Sequence, residues 1–143
     1  MNIHQITVFL ENRTGQLAEI TKLLADEHVD IRAISIAEAS DYGLVRMIVD
    51  DSHKASAILL EQGNILSMTP VCAVEVPDRP AGLSDLLTVL AENNVDVEYM
   101  YSLFAGKDGH ACMVLRISDE ASFEKALDGT DIKVVGNDEL GLK

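Results

Sequence analysis

The sequence predicts an α+β protein built from two tandem β-α-β-β-α-β units. Three observations predict this fold: an internal repeat, strand segments in which every second residue is apolar, and helical segments with apolar residues three and four positions apart. Each unit is expected to form a four-stranded antiparallel sheet with its helices on one face. We place the domains at residues 1–70 and 71–143.

The repeat covers most of the chain. A shift of 78 − 12 = 66 positions aligns residues 12–63 with 78–129 without a gap and gives 13 identities in 52 positions. The segment Asn12-Arg13-Thr14-Gly15-Gln16-Leu17 falls on Asp78-Arg79-Pro80-Ala81-Gly82-Leu83. The same turns recur at the same places, so two copies of one structural unit are predicted.

Each copy begins with a strand and a helix. The strands have apolar residues at alternate positions: Ile6, Val8 and Leu10 in the first copy, and Cys72, Val74 and Val76 in the second. The helices have one apolar stripe each: Leu17, Ile20 and Leu24, then Leu83, Leu86, Leu87 and Leu90. Asn12 and Asp78 precede these helices as turn or cap residues, and Pro80 fits a first helical turn.

Two strands, a second helix and a last strand complete each copy. Second strands are expected at 31–38 and 97–104, third strands at 44–49 and 111–117, and last strands at 65–68 and 132–135. Ser52 and Ser118 are expected to cap the second helices, and Gly63 and Gly129 to end them. This order of elements is the ferredoxin-like pattern.

The second strands predict further assembly. Ile34 and Ile36 are expected to oppose the face of Ile31 and Ala33, and Met100 and Phe104 to oppose the face of Val97, Tyr99, Tyr101 and Leu103. A unit of about 66 residues is marginally stable alone, and its sheet leaves one face and two edges uncovered. We therefore expect the two copies to pair and the chain to form a homodimer.

Composition limits the partners and the compartment. Eleven Lys and Arg against 24 Asp and Glu give a net charge of −13, which argues against nucleic acid as a partner. No segment approaches the roughly 20 apolar residues of a membrane span, and the start lacks a signal-peptide pattern, so we expect no membrane partner and a cytoplasmic location. Cys72 and Cys112 match neither a zinc site nor a redox pair, and are expected to be buried.

Catalytic motifs are missing from the sequence. It contains no common phosphate-binding loop, zinc-protease motif or nucleophile elbow, and its four histidines are scattered. We find no activated nucleophile and no paired acid and base. The sequence therefore predicts no enzyme activity, no cofactor and no metal.

The two strand-to-helix turns are the candidate sites. N–H groups at a helix N-terminus lack intrahelical partners and lie at the positive end of the helix dipole, so they can bind a carboxylate without a basic side chain. Gly15 would allow a ligand to approach the backbone, and a tight turn alone would equally account for a glycine there. Spacing does not decide between these two roles.

Asn12-Arg13-Thr14-Gly15-Gln16-Leu17, followed by a helix and Val29-Asp30-Ile31, resembles the ACT domain family of small regulatory modules. The second copy resembles it again through Asp78-Arg79-Pro80-Ala81-Gly82-Leu83 and Val95-Asp96-Val97. The resemblance implies a β-α-β-β-α-β fold, domains that pair edge to edge, and a free amino acid bound at the interface between paired domains.

Carried over residue by residue, the family's D-x-x-G turn falls on 12–15, with Asn12 replacing Asp, and on 78–81, with Ala81 replacing Gly. Asn12 keeps a side-chain acceptor. Ala81 adds a methyl group where a ligand would approach the backbone, although Gly82 could shift that point of approach by one residue. The resemblance also implies ligand contacts from the second strands, which are expected at Ser35, Ile36, Tyr101 and Ser102.

Two functions follow as expectations. The first is a noncatalytic regulator that binds a free amino acid at these turns and signals in trans to a partner enzyme or regulator. The alternative is a protein–protein interaction module without a small-molecule ligand, which would use the same sheet edges and apolar faces.

Overall fold

The computed structural model of the chain describes residues 3–11, 13–38, 41–104 and 108–143. Its elements are β1 (Ile3–Glu11), α1 (Gln16–Asp26), β2 (Ile31–Glu38), β3 (Tyr42–Val49), α2 (Ser52–Glu61), β4 (Leu66–Pro77), α3 (Gly82–Glu92), β5 (Val97–Leu103), β6 (His110–Ile117), α4 (Glu120–Leu127), β7 (Lys133–Val135) and α5 (Asn137–Leu140). This order repeats β-α-β-β-α-β and confirms the predicted α+β fold of two ferredoxin-like units.

Contacts divide the chain into two units. The first unit comprises residues 4–69 with 141–143, and the second comprises residues 70–140 with Ile3. β4 contains both the last strand predicted for the first copy and the first strand predicted for the second. The sequence predicted these as two strands, whereas the extended pattern continues through 69–71 without a break.

The first unit places two helices against a sheet in the order β2-β3-β1-β4. β3 pairs antiparallel with β1 and β2, so that Met47 lies opposite both Ile6 and Ile34. Val8 on β1, Leu24 on α1 and Leu59 on α2 are fully buried in one apolar cluster. The alternation of β1 and the stripe of α1 thus meet as the sequence predicts.

The second unit repeats this arrangement with β5-β6-β4-β7. Val74 on β4, Leu86 and Leu90 on α3, and Phe123 on α4 form its buried cluster. The short helix α5, which the sequence analysis did not predict, follows β7.

A register shift of the β-bulge kind near the start of each second strand makes the predicted face wrong for the first residue of the strand, Ile31 in β2 and Val97 in β5. The register of β2 shifts between Ile31 and Ala33, and Ile31 and Ile34 both pack against the first core. β5 shifts in the same way between Val97 and Tyr99, and Val97 and Met100 both pack against the second core. The extra residue of a bulge reverses the alternation, which simple period-two counting cannot detect.

The helix starts also differ from the predicted caps. Asp51 caps α2 through its Oδ1, which accepts the N–H of Lys54 at 3.1 Å, and Asp119 caps α4 through its Oδ1, which accepts the N–H of Ser122 at 3.2 Å. The predicted caps Ser52 and Ser118 are therefore wrong by one residue. A carboxylate also complements the positive end of a helix dipole, which favours Asp over a neighbouring Ser.

Candidate functional site

The candidate site lies where β1 ends and α1 begins. Gly15 is the N-cap residue and has φ +87°, a left-handed conformation that glycine adopts without steric penalty. The N–H of Arg13 donates to the carbonyl of Glu11 at 2.7 Å, and the N–H of Gln16 donates to the carbonyl of Arg13 at 3.4 Å. A Cβ added at Gly15 would meet no atom within 4 Å, so the turn is open on that side. Asn12, also predicted here, lies outside the described residues.

The N-terminus of α1 is not capped by any side chain of the described residues. Its first backbone bond runs from the N–H of Glu19 to the carbonyl of Gly15 at 3.0 Å. The N–H groups of Leu17 and Ala18 therefore have no carbonyl within the helix to bind. They lie at the positive end of the helix dipole, where a carboxylate is stabilised.

A cleft of about 390 Å³ borders this turn, and we call it the turn cleft. Its lining comprises Leu10, Glu11, Arg13, Thr14, Ile36, Ala37, Glu38, Asp41, Tyr42 and Gly43. The structure thus brings the predicted residues Arg13, Thr14 and Ile36 together. Ser35, also predicted, does not line this cleft and lies opposite Arg46 in the sheet.

Arg13 forms an ion pair across the turn. Its guanidinium donates two hydrogen bonds to the Glu19 carboxylate, from Nη1 to Oε1 at 2.9 Å and from Nη2 to Oε2 at 3.2 Å. The hydrogen bond, and then the attraction of opposite charges, raise the pKa of Arg13 and lower the pKa of Glu19. Glu19 was not predicted, although the repeat offered a signal: its counterpart Asp85 stands at the same spacing from Arg79, with Nη2 and Oδ2 3.4 Å apart.

Gln16 lies at the start of α1 and is only 8% exposed. Its Oε1 is buried and has no hydrogen-bond partner among the described residues. Gln16 lines a second cleft of about 280 Å³, which we call the Gln16 cleft, together with Phe9, Leu10, Glu11, Asp41, Tyr42, Gly63, Asn64 and Ile65. The neighbouring predicted residue Leu17 packs against the first core.

The second turn, between β4 and α3, is more closed. Ala81 holds the N-cap position with φ +75°, a left-handed conformation that is strained for a residue with a Cβ. A Cβ on Gly82 would collide with the backbone carbonyl of Pro77, so this glycine allows the chain to pack against itself. The N–H of Asp78 donates to the carbonyl of Gly109 at 2.8 Å.

The cleft beside this turn is small. It has a volume of about 120 Å³ and is lined in part by Arg79, Gly82 and Asp85. Its counterpart in the first unit, lined in part by Arg13, Gln16 and Glu19, has about 310 Å³.

The other predicted residues of the second unit do not line its small cleft. Pro80 precedes α3 by two residues, so its predicted place in the first helical turn is wrong, and Leu83 is exposed. Tyr101 is buried with its ring 6.5 Å from that of Tyr99, whereas Ser102 is exposed.

The remaining reactive groups do not point to a metal or a nucleophile. Burial raises the pKa of both Cys72 and Cys112 to about 11, so each thiol is protonated at neutral pH. Within the described ranges, no group of three or more His, Cys, Asp or Glu side chains is placed to hold a metal ion. The helices of the same ranges include none long and apolar enough to cross a membrane.

Comparison with known proteins identifies similar sequences and folds. The family model of the ACT domain pair matches residues 1–140. The crystal structure of a Bacteroides thetaiotaomicron protein is 32% identical, with a TM-score of 0.90 over 99% of this chain and 96% of that one. No curated protein sequence matches significantly.

Two more distant structures support the fold. The regulatory subunit of aspartate kinase from Thermus thermophilus, in its ligand-free form, has a TM-score of 0.66 and 15% identity, with 88% of each chain covered. The corresponding subunit from Thermus flavus has a TM-score of 0.57 and 15% identity, over 90% of this chain and 95% of that one. At such low identity these two similarities concern the fold alone.

Proposed function

Since this chain belongs to the ACT domain pair family, we propose that it is a noncatalytic regulatory protein that binds a free amino acid at the first strand-to-helix turn. The observation that carries the proposal is the uncapped N-terminus of α1 beside the turn cleft. α2 and α4 each have an Asp cap, whereas α1 and α3 have none among the described side chains; the cleft beside α1 is much larger than the one beside α3. A ligand carboxylate would take the place of that cap.

Backbone donors would hold the carboxylate in this protein. Its net charge of −13 repels anions over long range, so local donors have to supply the attraction. Arg13 is already paired with Glu19, so the proposed donors are the N–H groups of Leu17 and Ala18, which have no acceptor within the helix. Thr14 lines the cleft beside them.

The turn cleft also offers space for the rest of an amino acid. Its volume of about 390 Å³ is within the usual range of roughly 300 to 1,000 Å³ for small-molecule sites. Ile36 and Tyr42 would contact an apolar part of the ligand. We propose that the second turn, with its strained Ala81 and its small cleft, does not bind the same ligand.

The signal would be delivered in trans. We propose that the chain acts as a cytoplasmic homodimer and that ligand binding changes its contacts with a partner enzyme or regulator. β2 pairs with β3 on one side only among the described strands, which leaves an edge for a second copy. A ligand shifts such an equilibrium by its difference in affinity for the two arrangements.

Thermal denaturation in the presence of each of the twenty amino acids tests the proposal. A ligand at 100 times its dissociation constant should raise the free energy of unfolding by about 2.7 kcal/mol. Gly15→Trp should abolish the response, because the indole would occupy the opening beside α1. The matched change Ala81→Trp in the second turn should leave it intact. No response of the wild type to any amino acid would refute the proposal.

One observation favours the alternative, a protein–protein interaction module without a small ligand. Phe9, Ile36, Tyr42 and Ile65 of the first unit are 41% to 69% exposed, although they are large apolar or aromatic residues. Exposed apolar groups of this kind are common at protein interfaces. If this alternative holds, partner capture by Gly15→Trp will equal that by the wild type, and free amino acids will not change it.

A further inference from the structure

The buried amide of Gln16 requires a hydrogen-bond donor. An acceptor buried without a partner costs roughly 1 to 3 kcal/mol, and most such atoms in proteins have one. Oε1 of Gln16 has no partner among the described residues and is itself almost inaccessible to water, while the side chain lines two clefts: the Gln16 cleft and a neighbouring one shared with Arg13 and Glu19. This observation is independent of the uncapped helix, because a side-chain acceptor seeks a donor whereas the helix N-terminus seeks an acceptor.

The charges of the Gln16 cleft also favour a hydrogen-bond donor, and in particular a cationic one. Glu11 and Asp41 line it, and no basic side chain stands among the described residues of its lining. Arg13, the nearest cation along the chain, lines the two neighbouring clefts and is paired with Glu19. The Gln16 cleft therefore offers acceptors and negative charge, and it would repel a carboxylate.

Two aromatic rings add to this preference. Phe9 and Tyr42 line the Gln16 cleft with ring centroids 5.8 Å apart and planes inclined by 42°. Both side chains are nearly half exposed, so their rings are accessible from the cleft. The faces of aromatic rings attract cations.

We propose that the Gln16 cleft binds a ligand ammonium group, with the Gln16 amide turning its Oε1 toward the cleft as a hydrogen-bond acceptor and the carboxylates of Glu11 and Asp41 as counter-charges. This inference rests on the proposed function and specifies it: the carboxylate lies at the first turn of α1, and the ammonium group lies on the other side of Glu11 and Asp41, which line both clefts. The ammonium belongs either to the α-amino group or to a basic side chain. Gln16 is then a specificity-determining residue.

The second unit lacks this site because Gly82 occupies the position equivalent to Gln16. Its backbone lies against the carbonyl of Pro77, which leaves no place for a side chain. The repeat therefore provides an internal negative control: ammonium binding should perturb Gln16 and leave Gly82 unchanged.

NMR titration of the full chain with n-butylammonium, lysine and norleucine tests the inference. n-Butylammonium carries no carboxylate, so it probes the ammonium site independently of the turn. The side-chain amide signals of Gln16 should shift with this probe and with lysine. Gln16→Leu should weaken binding about tenfold or more, the loss expected for one hydrogen bond to a charged group. Gln16→Glu should retain it, and Gln62→Leu, the same change outside the Gln16 cleft, should leave it unaltered.

The ligand series distinguishes the two sources of the ammonium. If lysine binds at least tenfold more tightly than norleucine, the side-chain ammonium occupies the cleft. Equal binding of the two, lost on acetylation of the α-amino group, assigns the cleft to the α-ammonium. Undiminished binding of every probe to Gln16→Leu would overturn the inference while leaving amino-acid binding in place. If n-butylammonium binds at Gln16 but no amino acid binds, the proposed function fails and the cation site stands.

Discussion

The first and second strand-to-helix turns have the same backbone plan and differ in openness. In both, an Arg N–H donates to the carbonyl two residues earlier, and the first helical N–H donates to the carbonyl of that Arg. In both, the Arg side chain pairs with an acidic residue of the helix. The first turn opens onto clefts of about 390 and 280 Å³, whereas the cleft beside the second has about 120 Å³.

The position of one glycine accounts for much of this difference. Gly15 takes the left-handed N-cap position, and the next position is free for the long side chain of Gln16. In the second turn, Ala81 takes the left-handed position and Gly82 follows it against the carbonyl of Pro77. A shift of the glycine by one residue thus replaces an open turn with a contact within the chain.

The largest expected effect tests what the two units share. Leu24 and Leu90 are equivalent in the repeat, and each is buried in the core of its unit. Leu24→Ala and Leu90→Ala should each lower the free energy of unfolding by about 2 to 5 kcal/mol, measured by urea denaturation. A loss below about 1 kcal/mol for one of them would show that the two cores are not equivalently packed.

A second change tests the closed turn. Gly82→Ala places a methyl group against the Pro77 carbonyl, so the free energy of unfolding should fall by about 2 to 3 kcal/mol. Gln16→Ala at the equivalent position of the first turn is its control and should cost less, because it also removes the buried Oε1 that has no partner among the described residues. Equal stability of Gly82→Ala and the wild type would contradict the close approach of Gly82 to the Pro77 carbonyl.

Exchange of the left-handed residues tests the backbone strain. Gly15→Ala should destabilise by about 1 kcal/mol, since Ala at φ +87° is strained and its Cβ gains no contact. Ala81→Gly relieves the same strain but increases the freedom of the unfolded chain, so it should stabilise by roughly 0.5 kcal/mol. If urea denaturation showed that Gly15→Ala and Ala81→Gly both raise or both lower the free energy of unfolding, this account would be refuted.

The smallest effect concerns the ion pair at the first turn. Because the Arg13 guanidinium lowers the pKa of Glu19, that carboxylate contributes stability that is present above its unfolded pKa of about 4.3 and lost as pH falls through the lower folded value. NMR titration should give Glu19 a pKa below that of an ordinary Glu, and Arg13→Gln should raise this pKa toward the ordinary value. An ordinary pKa in the wild type would show that the ion pair does not persist in solution.

The sequence alone determined the repeat, the order of elements and the buried stripes. Hydrophobic periodicity depends only on which residues are buried away from water, and that is set by residue type along the chain. Ile6, Val8 and Leu24 are buried as predicted. The bulges of β2 and β5 escaped prediction, since a single extra residue reverses a strand face without changing composition. Asp51 and Asp119 were missed because neighbouring Ser residues are also good caps.

Only the tertiary structure decided which predicted site residues meet. Sequence spacing treated 12–17 and 78–83 as equivalent, and Arg13, Thr14 and Ile36 do share a cleft. Tyr101 is buried instead, and Gly82 is closed by a carbonyl from β4. That Gln16 Oε1 has no partner among the described residues depends on the side chains and backbone packed around it. These clefts, buried side chains and backbone contacts arise from packing between different elements of the fold. The local sequence pattern does not encode that packing.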